Sequence, residues 1–204
     1  MVRLSVLGPM SPRNALTWSW LLVWSLVAFI WGFAEALWFF IMVDVVISLA
    51  VMRFGVVKAM IPAFTALIGT MLGGIVLYEL SQVNPEFVRS FILTVPGITE
   101  DLLRYASTDM ADDPMGALLF GGFTGVPFKI FSATAYEAGI APTLAFLEPA
   151  TIARFSRILV VLTLSGLFRS LLYTRLRRVG LMRLTLFIWV LFYAWFGYVF
   201  WNIV

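Results

Sequence analysis

Apolar residues run along this chain in long stretches that polar positions cut at uneven intervals. Residues 14–34 carry no charge, and about 20 apolar residues suffice to cross a hydrocarbon core, so this run predicts a first spanning helix. Trp18 and Trp20 near its start suit the interfacial aromatic belt. Residues 35–52 stay apolar but hold Glu35 and Asp44 and no base before Arg53. Residues 59–78 form another charge-free run of helix length. The one sizeable polar region is 79–114, punctuated by Pro85, Pro96 and Gly97. Inside it Phe87, Val88, Phe91, Ile92 and Val95 predict a short amphipathic helix on the membrane surface.

The stretch 115–157 is apolar again, but Gly121, Gly122, Gly125, Pro127, Gly139 and Pro142 interrupt it. It predicts a broken helix pair that enters the membrane and turns back, because irregular backbone at that depth must be buried in protein or face a wet cavity. Residues 151–173 predict a helix carrying Arg154, Arg157 and Arg169. A connection with Arg175, Arg177, Arg178 and Arg183 leads to a last spanning helix over 184–204, with Trp189, Trp195 and Trp201. Two broken segments, 35–52 and 116–149, each precede a plain helix, a layout that points to a transport site between repeats. The expected fold is an all-α polytopic membrane protein of one domain, 1–204. Two broken or re-entrant hairpin segments pack with about four spanning helices in an inverted repeat, and 79–114 forms an acidic extramembrane loop.

Composition strengthens this reading. Of 204 residues, 62% are hydrophobic and only 12% charged, well beyond what a water-soluble domain of this size carries. The chain has no cysteine and no histidine, which removes disulfides, thiolate metal sites and imidazole catalysis. Ser132, Ser156 and Ser165 therefore lack an imidazole base, and no enzyme activity, metal or cofactor is expected. The net charge of +3 comes from arginines at run edges, which is membrane-orientation chemistry, and no nucleic-acid partner is expected. Asp109, Asp112 and Asp113 lack calcium-loop spacing and read as a solvated acidic face. A cleavable signal peptide is not expected either.

Ionisable residues within apolar runs are costly and mark functional sites. Glu35 and Asp44 lie nine positions apart, so one continuous helix would point them in opposite directions, whereas a broken segment brings both to one cavity. Lys129 stands two residues past Pro127, and Arg154 and Arg157 share a helix face. Three cations near two carboxylates predict that at least one carboxylate pairs with a base near the midplane. The leftover positive charge is then free for an anion. Gly69 and Gly73 allow close helix approach, within the chain or in a homo-oligomer through helix 59–78. The arginine cluster 175–183 belongs on the cytoplasmic side. With 116–149 re-entrant, Arg53 and Lys58 fall on that side too. The amino terminus is inside if 35–52 crosses fully, as Arg3 and Arg13 favour, and outside if it is re-entrant, as repeat symmetry favours.

At these residues the chain resembles the DedA family, also called SNARE-associated or VTT-domain proteins, in its short bacterial branch. Glu35, then Trp38, Phe39 and Phe40, then Asp44, matches the family's first motif, with Ile41 and Val43 where prolines are usual. Gly122, Phe123, Thr124, Gly125, Val126, Pro127, Phe128 and Lys129 match the second, with Gly125 at a usual proline. Gly139, Arg154 and Arg157 follow, and the resemblance covers about residues 30–172. It implies lipid scrambling or carrier-lipid transport in a bacterial inner membrane, in some members coupled to protons. Three functions follow as expectations. One is translocation of an anionic lipid, phospholipid or polyprenyl phosphate, through Glu35, Asp44, Pro127, Lys129, Arg154 and Arg157, with Gly122, Gly125 and Gly139 shaping the backbone. The second is proton-coupled transport of a small solute or ion, with Glu35 and Asp44 as proton carriers. The third is a membrane assembly role without transport.

Overall fold

Each apolar run folds as helix, because backbone N–H and C=O groups in hydrocarbon must be satisfied within the segment. The computed structural model describes residues 12–203, with side chains from 17 to 199. Arg3 and the side chains of Arg13 and Trp201 lie outside the described residues. Among the described residues the chain is all-α and contains no sheet. The elements are α1 (Pro12–Leu37), α2 (Asp44–Phe54), α3 (Val56–Val83), α4 (Pro85–Leu93), α5 (Glu100–Asp112), α6 (Pro114–Thr124), α7 (Phe128–Thr134), α8 (Thr143–Leu172) and α9 (Arg178–Ile203). Four of them, α1, α3, α8 and α9, are long and apolar enough to cross a membrane. The protein is an integral membrane protein.

Small residues weld α1 to α3. Thr65 Oγ1 donates to the Ser25 carbonyl at 2.9 Å. A Cβ on Gly69 would strike the Phe29 carbonyl, and one on Gly73 the Phe33 carbonyl. Each contact joins residues forty positions apart, so α1 and α3 run parallel. Two consecutive parallel helices require their link, 38–55, to return across the whole thickness. Segment 35–52 is therefore not a re-entrant hairpin. Glu35 belongs to α1, an irregular stretch 38–43 descends from its end, and α2 completes the crossing. The start of α1 thus lies at the same end as Arg53 and Lys58. The Gly69–Gly73 pair serves this internal contact, so it is not a face that helix 59–78 offers to a second copy.

The second broken segment does return. Helix α6 descends to Thr124 and stops at Gly125, whose φ of 98° is left-handed, a conformation glycine adopts without steric cost. Helix α7 then climbs back, and beyond it the Ile140 carbonyl accepts the Tyr78 hydroxyl at 2.7 Å near the far end of α3. The first segment crosses, and this one returns. Helix α8 starts at Thr143, eight residues before the expected 151, and keeps Pro149 inside it. Prolines are tolerated there because neighbouring groups in a bundle re-satisfy the freed carbonyl. Helix α9 likewise starts at Arg178, taking in two arginines expected in the connection.

The polar region 79–114 is helical rather than a loop. Asn84, Thr99 and Asp113 cap α4, α5 and α6 by accepting backbone N–H groups at 3.1, 3.3 and 3.0 Å, as short polar side chains do at helix starts. Val88, Ile92, Leu103, Ala106 and Met110 face the core. Glu86, Glu100, Asp101, Asp109 and Asp112 face outward, making this the acidic end of the bundle. The core forms two apolar clusters. One gathers the far half of α3 with α4–α7 and the start of α8. The other gathers α1, α2, the start of α3 and the later part of α8.

Gly69→Ala should lower thermal stability in detergent by about 1–3 kcal/mol through overpacking. Gly197→Ala, where an added Cβ meets nothing within 4 Å, should leave stability unchanged or raise it by up to about 1 kcal/mol. Unfolding followed by tryptophan fluorescence measures both.

Candidate functional site

The charged residues gather between the two apolar clusters, where the breaks of both halves meet α8. At the end of α1, Glu35 is 7% exposed. One of its oxygens accepts the Val43 N–H at 2.8 Å, and the other accepts Arg154 Nη2 at 3.2 Å. Asp44 opens α2, where a carboxylate also meets the positive end of the helix dipole. Its Oδ2 accepts Arg157 Nη2 at 2.7 Å and Nε at 3.0 Å. Both carboxylates are thus paired with arginines of α8, one helical turn apart.

The two arginines differ in what they have left to offer. Arg157 donates through Nη1 to the Gly122 carbonyl of α6 and reaches Met42 and Asp44 with its other nitrogens. It clasps α6, the 38–43 stretch and α2 to α8. The Arg154 guanidinium carbon lies over the Phe128 ring, 4.3 Å from its centroid, and its buried Nε has no hydrogen-bond partner among the described residues. Lys129, in the first turn of α7, is 2% exposed and donates to the Phe39 carbonyl at 2.8 Å. Three cations face two carboxylates, leaving one positive charge uncompensated.

The irregular stretch 38–43 is held from all sides. Besides Val43 and Phe39, its Met42 N–H donates to Tyr193 Oη of α9 at 2.7 Å. The Ile41 carbonyl accepts Trp31 Nε1 at 3.0 Å. Trp38 and Phe39 N–H both return to the Ala34 carbonyl. Where this path leaves the helical pattern, side chains thus meet several of its polar groups, as its depth demands. Twelve residues of α8 separate Arg157 from Arg169 near the basic end, about 18 Å of rise. The ion pairs therefore lie well away from the basic end, inside the bundle.

These groups line one cavity of about 810 Å³. Glu35, Asp44, Gly122, Gly125, Pro127, Lys129, Arg154 and Arg157 all border it. Gly139 does not. It turns the chain between α7 and α8 with a φ of 81°. Apart from Thr99 and Tyr193, the rest of the lining is apolar. Leu118, Leu119 and Phe123 come from α6, Val160 and Val161 from α8, and Phe192, Trp195 and Phe196 from α9, with Val95–Gly97 at the acidic end. Phe123 and Trp195 are 58% and 62% exposed, so the apolar wall reaches the outer surface between α6 and α9.

Sequence reasoning missed the contribution of α9. Tyr193 anchors the break and Phe192 walls the cavity, yet α9 lies outside the 30–172 stretch that carries the family resemblance. The available signal was a hydroxyl in mid-run of an otherwise apolar spanning helix. Trp31 was read only as part of the first helix and gives no sign, in sequence, of donating across to residue 41. Comparison of the chain with protein-family models, with curated proteins and with solved structures gives no match.

Removing one member of a buried pair leaves an uncompensated charge and costs about 3–5 kcal/mol. Arg157→Met should therefore destabilise the protein by about that amount, because Asp44 is only 5% exposed. Adding Asp44→Asn should restore at least half of the loss, the non-additivity expected of partners in contact. Melting of all three variants in one detergent checks this.

Proposed function

We propose that the protein moves anionic lipids across the membrane through the cavity between its two breaks. The observation that carries this reading is the uncompensated positive charge of Lys129, buried beside Arg154 in an otherwise apolar, laterally open cavity. An isolated cation at that depth is costly, and an anion that enters lowers the cost by forming charge-assisted hydrogen bonds. A guanidinium with a spare Nε and a neighbouring ammonium suit a phosphate-type head, the first as a planar fork and the second as a point charge. The apolar wall of Phe123, Phe192, Trp195 and Phe196 lets an acyl or prenyl chain stay in hydrocarbon while its head crosses. A small soluble anion would make no use of that wall.

In this reading Lys129 and Arg154 contact the head group. Arg157, Asp44 and Glu35 hold the breaks in place, and Tyr193 and Gly122 position them. The DedA-like layout of Glu35, Asp44, Gly122–Lys129, Arg154 and Arg157 supports the same assignment, and with it a bacterial inner-membrane location. The arginine-rich end then faces the cytoplasm and the acidic helices α4 and α5 face outward. The competing reading, proton-coupled movement of a small anion, uses the same cations but needs no lateral opening.

Reconstituted into liposomes, the protein should accelerate transbilayer movement of labelled phosphatidylglycerol or a polyprenyl phosphate. Lys129→Gln and Arg154→Gln should each slow this about tenfold or more, the loss of a hydrogen bond to a charged group. Membrane insertion should be kept in both. Wild-type rates in both variants, or uptake of free phosphate with no lipid movement, would sink the proposal.

A further inference from the structure

A second set of cations, away from the cavity, has no anion. Arg53 closes α2, and its guanidinium carbon lies 5.0 Å over the Trp20 ring and 5.2 Å over the Phe54 ring. Arg169, near the end of α8, packs against Gly55, where an added Cβ would collide with its Nη1. It also lies 5.1 Å over the Tyr173 ring. Gly55 follows Phe54 directly, so the two arginines flank one junction of α1, α2, α3 and α8. The Nε atoms of both are buried without a hydrogen-bond partner, and neither arginine forms an ion pair among the described residues.

No carboxylate of this chain is placed to answer them. Of its 11 acidic residues, Glu35 and Asp44 are taken by Arg154 and Arg157. The others fall between Glu79 and Glu148, on the elements of the acidic end. The residues before α1 contain no Asp or Glu. Two bland accounts fall short. Orientation by positive charge is served by cations in water, as Arg175, Arg177 and Arg178 are exposed, whereas Arg53 and Arg169 are partly buried between rings. Each also sits in the last turn of its helix, where the dipole favours a cation, but a dipole partner leaves the buried Nε without an acceptor.

We propose that Arg53 and Arg169 form a site for the phosphodiester of an anionic phospholipid in the leaflet at the basic end of the bundle. Aromatic rings at head-group level mark the membrane interface, and Trp20 and Tyr173, 44% and 49% exposed, stand beside these guanidiniums. Basic pockets between helices at a cytoplasmic surface recognise lipid heads in this way. Packing against the rings limits how far each guanidinium can move, so less freedom remains to be lost when the phosphate arrives.

The test uses the full chain carrying Lys129→Gln, which takes the cavity out of play, purified in a neutral detergent. Dioleoylphosphatidylglycerol, dioleoylphosphatidylcholine and inorganic phosphate are titrated separately, and the unfolding midpoint and lipid adducts in native mass spectra are read. The glycerol lipid should raise the midpoint and give one retained adduct, while the choline lipid and phosphate should not. Arg53→Gln with Arg169→Gln should weaken that binding about tenfold or more. Arg175→Gln with Arg177→Gln should change it by no more than about twofold, as for surface charges. Undiminished binding in the first pair, equal loss in both pairs, or an equal response to free phosphate overturns the proposal. If the glutamine pair does not fold, Arg53→Lys with Arg169→Lys keeps the charge and loses the fork. Weaker binding there supports the site and unchanged binding overturns it.

Discussion

A chain that leaves the helix inside hydrocarbon must find partners for every backbone polar group it exposes. The stretch 38–43 meets much of that demand with four side chains from three elements. Trp31 and Glu35 reach forward from α1, Lys129 reaches in from α7, and Tyr193 from α9. The need to satisfy this short path explains why charged and hydroxyl groups from such distant parts of the sequence meet at one depth. The ion pairs follow from it, since Glu35, once recruited to hold Val43, requires a counter-charge, and Arg154 supplies one.

The same network separates holding from binding. Arg157 is committed in every direction, to Asp44, Gly122 and Met42. Arg154 and Lys129 each make a single hydrogen bond and border the cavity. Two arginines three residues apart on one helix thus have unequal freedom. The difference comes from what stands opposite each of them, a last-turn carbonyl of α6 and the start of α2 for one, an aromatic ring for the other.

Much of this was legible in the sequence. The charge-free runs announced three of the long helices, the arginine-bearing run 151–173 the fourth, and glycines with Pro127 announced the returning segment. Glu35, Asp44, Lys129, Arg154 and Arg157 stood out because charge in an apolar run is rare. The direction of 35–52 was not legible. It depends on α1 and α3 lying parallel, which rests on the fit of Gly69 and Gly73 against particular carbonyls of α1. The start of α8 was hidden because Pro149 reads as a boundary when it is buried inside a bundle helix. Tyr193 was hidden because a single hydroxyl in an aromatic run has no pattern until its partner, the Met42 N–H, is in place.

The pairing also sets a timetable for synthesis. Glu35 and Arg154 are 119 positions apart, and Asp44 and Arg157 are 113 apart. At about 5–20 residues per second, the ribosome makes each carboxylate roughly 6–24 s before its arginine. Helices α1 and α3 can already pack together in that interval, with the acid-bearing path between them and no cation to meet it. During that wait the two acids must stay protonated, or stay within the aqueous shelter of the insertion machinery. The first half of this protein therefore reaches the bilayer as an incomplete solute, and α8 is the element that lets it settle there.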